Sequence, residues 1–315
     1  MKRIFLLLSA CVLLLVCMGC RQPVGAPRKD VGTLRISAIL PHEDFAYWSL
    51  IGEAIVKAAD ECGVSAKVNI PQVNYNVTQM TDLIFEAVAA RVDAIIVQGI
   101  DNEEYINALN DARHAGIQVV FVDTDVESFS DHLYVGTDNY NAGMRMGQEL
   151  IKRTGDTGRV AVMSGAEHYP NLEQRLDGIR AALDGSGVEI SCVLYNEYDS
   201  RIMLQQLSVI AAQYPEVNCL LCIEGTGAMT IGTLVSEFPE NLKYAIGFDV
   251  SPESTAGVKL GYMDALIEQQ IHEMGARCVA EIVKYSKEGA YTALTIYTDV
   301  NIVTLEDLEA KGNER

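Results

Sequence analysis

The chain has 315 residues, 49% of them hydrophobic and 21% charged, with a formal net charge of −19. So apolar a composition supports a large core and excludes a disordered chain, and the length suits two domains at roughly 150 residues each. The acidic excess excludes nucleic acid as a partner, because phosphate recognition needs clustered Lys and Arg.

The first twenty residues read as an export signal. Met1-Lys2-Arg3 is basic and residues 4–18 are almost wholly apolar, a run shorter than the roughly 20 residues that span a bilayer. Cys17-Met18-Gly19-Cys20 resembles a bacterial lipobox, with Cys20 as the lipidated residue and the protein held on the extracytoplasmic face of a membrane or in the periplasm. Leucine is usual where Cys17 stands, so ordinary cleavage and an uncleaved anchor stay open. Residues 21–32, with Pro23, Gly25, Pro27 and Gly32, form a flexible tether. Cys62, Cys192, Cys219, Cys222 and Cys278 are odd in number and follow no framework spacing. Cys219 and Cys222 make a CxxC inside an apolar run, which fits buried thiols better than a redox or metal motif.

From residue 33 the pattern alternates between strand and helix. A first strand at 34–40 leads through His42, Glu43 and Asp44 into Tyr47 and Trp48, the chain's one tryptophan, and a helix at 49–62 closed by Gly63. The aromatic pair stands beyond the carboxyl end of a strand, where α/β sheets present ligands; it reads either as a stacking wall or as cover for the sheet. Strands follow at 64–70, 93–97, 118–122 and 132–137, with helices at 77–90 and 102–115 between them. The run at 93–97 is apolar throughout, as in a strand buried on both faces. A helix opens at Asp138-Asn139. Further strands are predicted at 159–163, 188–195, 217–223, 244–248, 263–268, 295–297 and 301–303. The accompanying helices are predicted at 172–183, 201–213, 228–238, 252–260 and 272–287. Such alternation implies crossover helices over parallel sheets, and this many strands implies two sheets.

Several spaced signatures then resemble those of the periplasmic sugar-binding proteins of ABC transporters, the type I group related to ribose-binding protein. They are the paired aromatics at 47–48, Val119 to Asp123, Gly136-Thr137-Asp138-Asn139 with Gly143 and Gly147, Gln174-Arg175 before Gly178, Ile246 to Asp249, and residues 261–269 ahead of Gly275. The resemblance implies two doubly wound lobes joined by three hinge crossings, residues 33–137 with 272–298 and 138–271 with 299–315. It implies a monomer that captures a carbohydrate-like ligand, closes on it, and presents it to a membrane permease. A chemoreceptor or sensor kinase is an alternative recipient.

Carried over by position, Tyr47 and Trp48 would stack on a sugar ring with Tyr198 facing them from the other lobe. Asp123 and Asp249 would accept hydrogen bonds from hydroxyls, Arg175 would donate in a fixed fork, and Gln269 would do both. Thr137 near a hinge and Thr226 are lesser candidates. Two departures bear on the ligand. Thr124 stands where an Arg is common, and Thr226-Gly227 where Asn-Asp is common, which argues against ribose itself. Glu224 and Glu167-His168-Tyr169 are loop groups within plausible reach, though loop charges are commonly solvated. Carboxylates such as Asp123, Asp249 and Glu224 invite comparison with a glycosidase. No nucleophile elbow, phosphate loop or metalloprotease motif accompanies them, so the reading is a binding protein without catalysis, cofactor or metal.

Overall fold

The computed structural model describes residues 30–42, 46–233 and 239–313. The export signal, Cys20, most of the tether, Glu43 and Asp44 lie outside the described residues. Twelve strands form two six-stranded sheets. The first contains β1 (Arg35–Ile39), β2 (Ser65–Asn69), β3 (Ala94–Gln98), β4 (Gln118–Val122), β5 (Leu133–Thr137) and β11 (Thr295–Thr298), in the order β11-β5-β4-β3-β1-β2 and parallel throughout. The second contains β6 (Gly158–Ser164), β7 (Val188–Tyr195), β8 (Cys219–Cys222), β9 (Tyr244–Phe248), β10 (Ala265–Gln269) and β12 (Val300–Thr304), in the order β12-β10-β9-β8-β6-β7. The two orders are the same order repeated, so β1, β2, β4 and β5 have topological counterparts in β6, β7, β9 and β10.

Ten helices cover these sheets: α1 (Ala46–Cys62), α2 (Val77–Ala89), α3 (Glu103–His114), α4 (Asn139–Thr154), α5 (Pro170–Leu183), α6 (Ser200–Gln213), α7 (Gly225–Thr233), α8 (Pro252–Lys259), α9 (Ile271–Glu288) and α10 (Leu305–Asn313) among the described residues. Their starts follow the local chemistry. Asn76, Asn102, Asp138 and Asp199 each accept a backbone N–H of the first turn through the side chain, and Ser251 and Ser254 form a reciprocal capping box. On α1 the buried positions Trp48, Ile51, Gly52, Ala54, Ile55, Ala58 and Ala59 recur at helical spacing and pack on the first sheet together with α9.

The chain passes between the sheets three times, at Asp138, Gln270 and Asp299. The crossings are stitched together: Thr137 Oγ1 donates to Gln269 Oε1 at 2.7 Å, and the Asp138 amide donates to the Thr298 carbonyl at 3.4 Å. Arg145 holds the third through Asp299 and the Val300 carbonyl. This last crossing explains a departure from the all-parallel expectation. Only Asp299 separates β11 from β12, so β12 enters its sheet from the hinge end and pairs antiparallel with β10. A parallel pairing would need a long crossover. A second departure is α7, which begins at Gly225, three residues ahead of the expected start, because the Glu224 side chain receives its first backbone amides.

Helices α4 and α5 approach very closely. A Cβ at Gly143 would overlap the Arg175 carbonyl, and one at Gly178 would overlap the Tyr140 carbonyl. Gly143→Ala therefore forces the pair apart just where Arg175 is anchored. We expect it to lower stability by about 1–3 kcal/mol in denaturant unfolding, and an unchanged midpoint would contradict this packing.

Candidate functional site

The predicted residues converge where the carboxyl ends of both sheets face each other beside the crossings. Asp123 follows β4 and Asp249 follows β9, the counterpart strand. Both backbones are left-handed, at φ 69° and 68°, and each amide donates to the next strand, to Val135 and Ile267 respectively. The two sheets thus present one acid each through the same turn. Non-glycine residues rarely adopt such φ values, which mark turns or functional strain.

Around Asp123 the Tyr47 hydroxyl donates to Oδ1 at 2.5 Å and the Thr124 hydroxyl to Oδ2 at 2.7 Å. Burial first, then the Asp123 charge, holds the Tyr47 hydroxyl well above its usual range, so it remains a donor. Around Asp249 the Gln269 amide donates to Oδ1 at 2.7 Å. Gln269 Oε1 in turn accepts from Thr137 at 2.7 Å and from Arg175 Nη2 at 3.4 Å. Thr137 and Gln269 are therefore linked at two crossings, which joins the site to the hinge.

Arg175 is 3% exposed. Its Nε donates to Asn139 Oδ1 at 2.9 Å, its Nη1 to the Ile223 carbonyl at 2.8 Å, and its guanidinium lies 3.6 Å over the Phe248 ring. An ordinary helix position would have left it a surface cation; here it is a fixed buried donor. Asn139 was legible only as part of a motif, and Phe248 gave no signal beyond strand hydrophobicity.

Two expectations need correction. Trp48, read as half of an open stacking wall, is 3% exposed and packed in the first-sheet core. It sits in the first turn of α1 with its ring edge-on to Tyr47 (centroids 5.3 Å apart), and its indole N–H donates to the Tyr75 hydroxyl at 2.9 Å. It backs the neighbouring rings instead of offering a face. Glu224 is not a solvated loop charge. It is buried, and its carboxylate accepts from Asn196 Nδ2 at 2.6 Å and from the Thr226 and Gly227 amides at 2.6 and 2.7 Å. Burial raises its pKa while these donors draw it back. Thr226 accordingly serves the start of α7, its amide committed to Glu224. By contrast, Glu167 and His168 are exposed, their side chains 3.8 Å apart, and the His168 amide donates to Glu173 Oε1 at 3.3 Å. Tyr198 is exposed too, held by its amide on Asn196 Oδ1 at 2.9 Å. Tyr75 was not singled out from the sequence, since an Asn-Tyr-Asn turn carries no distinctive signal.

The Asp249 carboxyl is pushed up from 3.8 to about 6, first by burial, with Arg175 and the Gln269 amide pulling it down and Asp123 and Glu224 pushing it up. Between those pH values the folded protein keeps a proton that the unfolded chain has lost. This group's contribution to stability is therefore fully present below the window, falls as pH rises through it, and is flat above. We expect the melting temperature of the wild type to fall more across that interval than that of Asp249→Asn; parallel profiles would contradict the assignment.

A family model described as "periplasmic binding protein domain" matches residues 36–290. The ribose import binding protein of Haemophilus influenzae is 22% identical over 305 residues, covering 96% of this chain and 100% of that protein. The xylose/arabinose-binding protein of Sulfolobus acidocaldarius is 24% identical over 219 residues, 63% of this chain; the match spans about half (53%) of that relative's length. Among solved structures, the glucose-galactose binding protein of Geobacillus stearothermophilus superposes with a TM-score of 0.80 at 26% identity, covering 89% of this chain and 99% of its own.

Proposed function

From the premise that the chain belongs to the periplasmic binding protein family, we propose that it captures a sugar between its lobes and delivers it to an ABC permease. The observation that carries this reading is a pair of acids, one per sheet, each held in its own hydrogen-bonded group: Asp123 with Tyr47 and Thr124, and Asp249 with Gln269, which also bonds Arg175 and Thr137 beside the crossings. Ligand hydroxyls would donate to the two acids and accept from Arg175, and the rings of Tyr47 and Tyr198 would cover C–H faces. Closure about the crossings would bring both lobes onto the ligand at once. Relatives named for import favour a permease over a sensor as recipient.

The same acids support binding over catalysis. Asp123 accepts from Tyr47 and Thr124, and Asp249 from Gln269, which orients both carboxylates as acceptors for ligand hydroxyls. The protein would act as a monomer on the extracytoplasmic side, tethered through a lipid on Cys20, and loss of labelled-lipid incorporation in Cys20→Ser would test that anchor.

A thermal-shift screen against sugars, polyols, nucleosides and amino acids tests the central claim. A sugar at 100 times its Kd adds about 2.7 kcal/mol of stability, and a shift with amino acids or nucleosides but with no carbohydrate would overturn it. Asp123→Asn and Arg175→Gln should each weaken binding of the sugar found by more than tenfold, since a charged hydrogen bond contributes about 1.5–3 kcal/mol. Retained affinity in both variants would reject this site.

A further inference from the structure

Outside the polar groups lies a second set of side chains, of which the proposed sugar contacts use only Tyr198. Tyr75, Tyr169 and Tyr198 are 50%, 49% and 46% exposed. Tyr75 follows β2 and Tyr198 follows β7, so they occupy equivalent loops of the two sheets. Their backbones match as well, at φ 58° and 55°. Of the nine non-glycine residues with positive φ among the described residues, Tyr75, Asp123, His168, Glu197, Tyr198 and Asp249 all belong to loops at this end of the sheets. Strain concentrated in this way points to a constraint imposed by function.

The rings are held, not merely exposed. Trp48 Nε1 donates to the Tyr75 hydroxyl at 2.9 Å, and His42 meets the Tyr75 ring edge-on with centroids 5.5 Å apart. Tyr169 meets Tyr198 edge-on with centroids 6.0 Å apart. The Tyr198 ring rests on Gly165, where a Cβ would collide with it. The Tyr75 hydroxyl is pushed up to about 12, mainly by burial and further by Asp123, Tyr169 and Asp249, while Tyr75 contributes to the rise at Tyr198. Glu167 and Glu197 adjoin the tyrosine loops in sequence, which disfavours an anionic group there, while the Asp199 charge is paired with Arg201 at 2.6 Å. A neutral ring with apolar faces and polar edges would be accepted, because tyrosine offers a flat apolar body and a polar tip.

We propose that Tyr75 and Tyr169, with the edge of Tyr198 that the inner ring leaves free, form an outer subsite for an additional sugar ring, so that the ligand of this protein is a carbohydrate of at least two rings. This rests on the sugar-binding reading above: the inner ring occupies the acid, Arg175 and Gln269 cluster, and the next ring lies between the tyrosines of opposite lobes.

The test is calorimetric titration of the full chain with matched pairs, xylose and xylobiose, glucose and cellobiose, galactose and galactobiose. At least one disaccharide should bind about tenfold or more tightly than its own monosaccharide, the gain expected from two aromatic contacts. Tyr75→Ala and Tyr169→Ala should each remove most of that preference while changing monosaccharide affinity by less than about twofold. Tyr169→Ala is the cleaner variant, since Tyr75→Ala also leaves the Trp48 N–H without its acceptor. Tyr75→Phe should keep the preference if the folded state, checked by circular dichroism, is retained. Monosaccharides binding as tightly as their disaccharides, or a preference that survives both alanine variants, would overturn the outer subsite and leave the sugar-binding function standing. Binding of no carbohydrate at all would overturn both.

Discussion

A guanidinium buried without a carboxylate in direct contact is the constraint around which this structure is arranged. Arg175 donates to Asn139 at the first crossing, to the Ile223 carbonyl at the end of β8, and to Gln269 at the second crossing, with Phe248 beneath its plane. A buried charge is costly unless its donors are satisfied, and here each acceptor comes from a different segment. Those segments are thereby fixed relative to one another. Removing the cation would leave buried acceptors unpaired, at about 1–3 kcal/mol apiece. The glycines of α4 are part of the same arrangement, because only a bare backbone lets α5 carry Arg175 so deep.

The duplicated strand order gives the site its second property. Asp123 and Asp249 are produced by the same left-handed turn on counterpart strands, and Tyr75 and Tyr198 by counterpart loops. In the proposed mode of binding, a ligand between the sheets would meet like groups from both sides, an acid and a tyrosine from each. The hinge is not insulated from this. Thr137 and Gln269, whose side chains bond each other, lie at two crossings, and Gln269 also holds Asp249. A rotation of one lobe must disturb the Thr137–Gln269 bond, and through Gln269 the amide that orients Asp249. Ligand hydroxyls that restore those bonds would favour the closed arrangement, which is how binding energy becomes a conformational signal.

Much of this was readable in the sequence. Period-two and helical patterns placed the strands and most helices within a few residues, and the continuous apolar run at β3 marked a strand buried on both faces. Asp123, Arg175, Asp249 and Gln269 were identified through resemblance; the last three share one chain of hydrogen bonds, and Asp123 stands in a separate group with Tyr47 and Thr124. What was not readable depended on three-dimensional context. The antiparallel β12 follows from a one-residue connection across the hinge. Trp48 was misjudged because a helix's first turn can face either the cleft or the core, and an indole N–H with a tyrosine acceptor inside the lobe settled it inward. Glu224 was misjudged because the capping of α7 takes its carboxylate out of water. Tyr75 acquires meaning only once the strand order shows that it mirrors Tyr198.

The two departures from the family pattern now have a shared consequence. Where a second arginine is common beside Asp123, the Thr124 hydroxyl donates to Asp123 instead and adds no cation to the site. Where an Asn-Asp pair is common, Thr226 and Gly227 give their amides to Glu224. Both changes remove donors that could have reached a ligand, while the acceptors Asp123 and Asp249 remain. A carboxylate has several lone-pair sites and can take hydroxyl donors beyond its protein partners. The inner cluster is thus richer in acceptors than in donors, which suits a neutral polyhydroxylated ring and disfavours one bearing a carboxylate or phosphate. With fewer directed donors to define a single ring, affinity must come from elsewhere. The half-exposed tyrosines in the loops after β2, β6 and β7 are apolar area that could supply it.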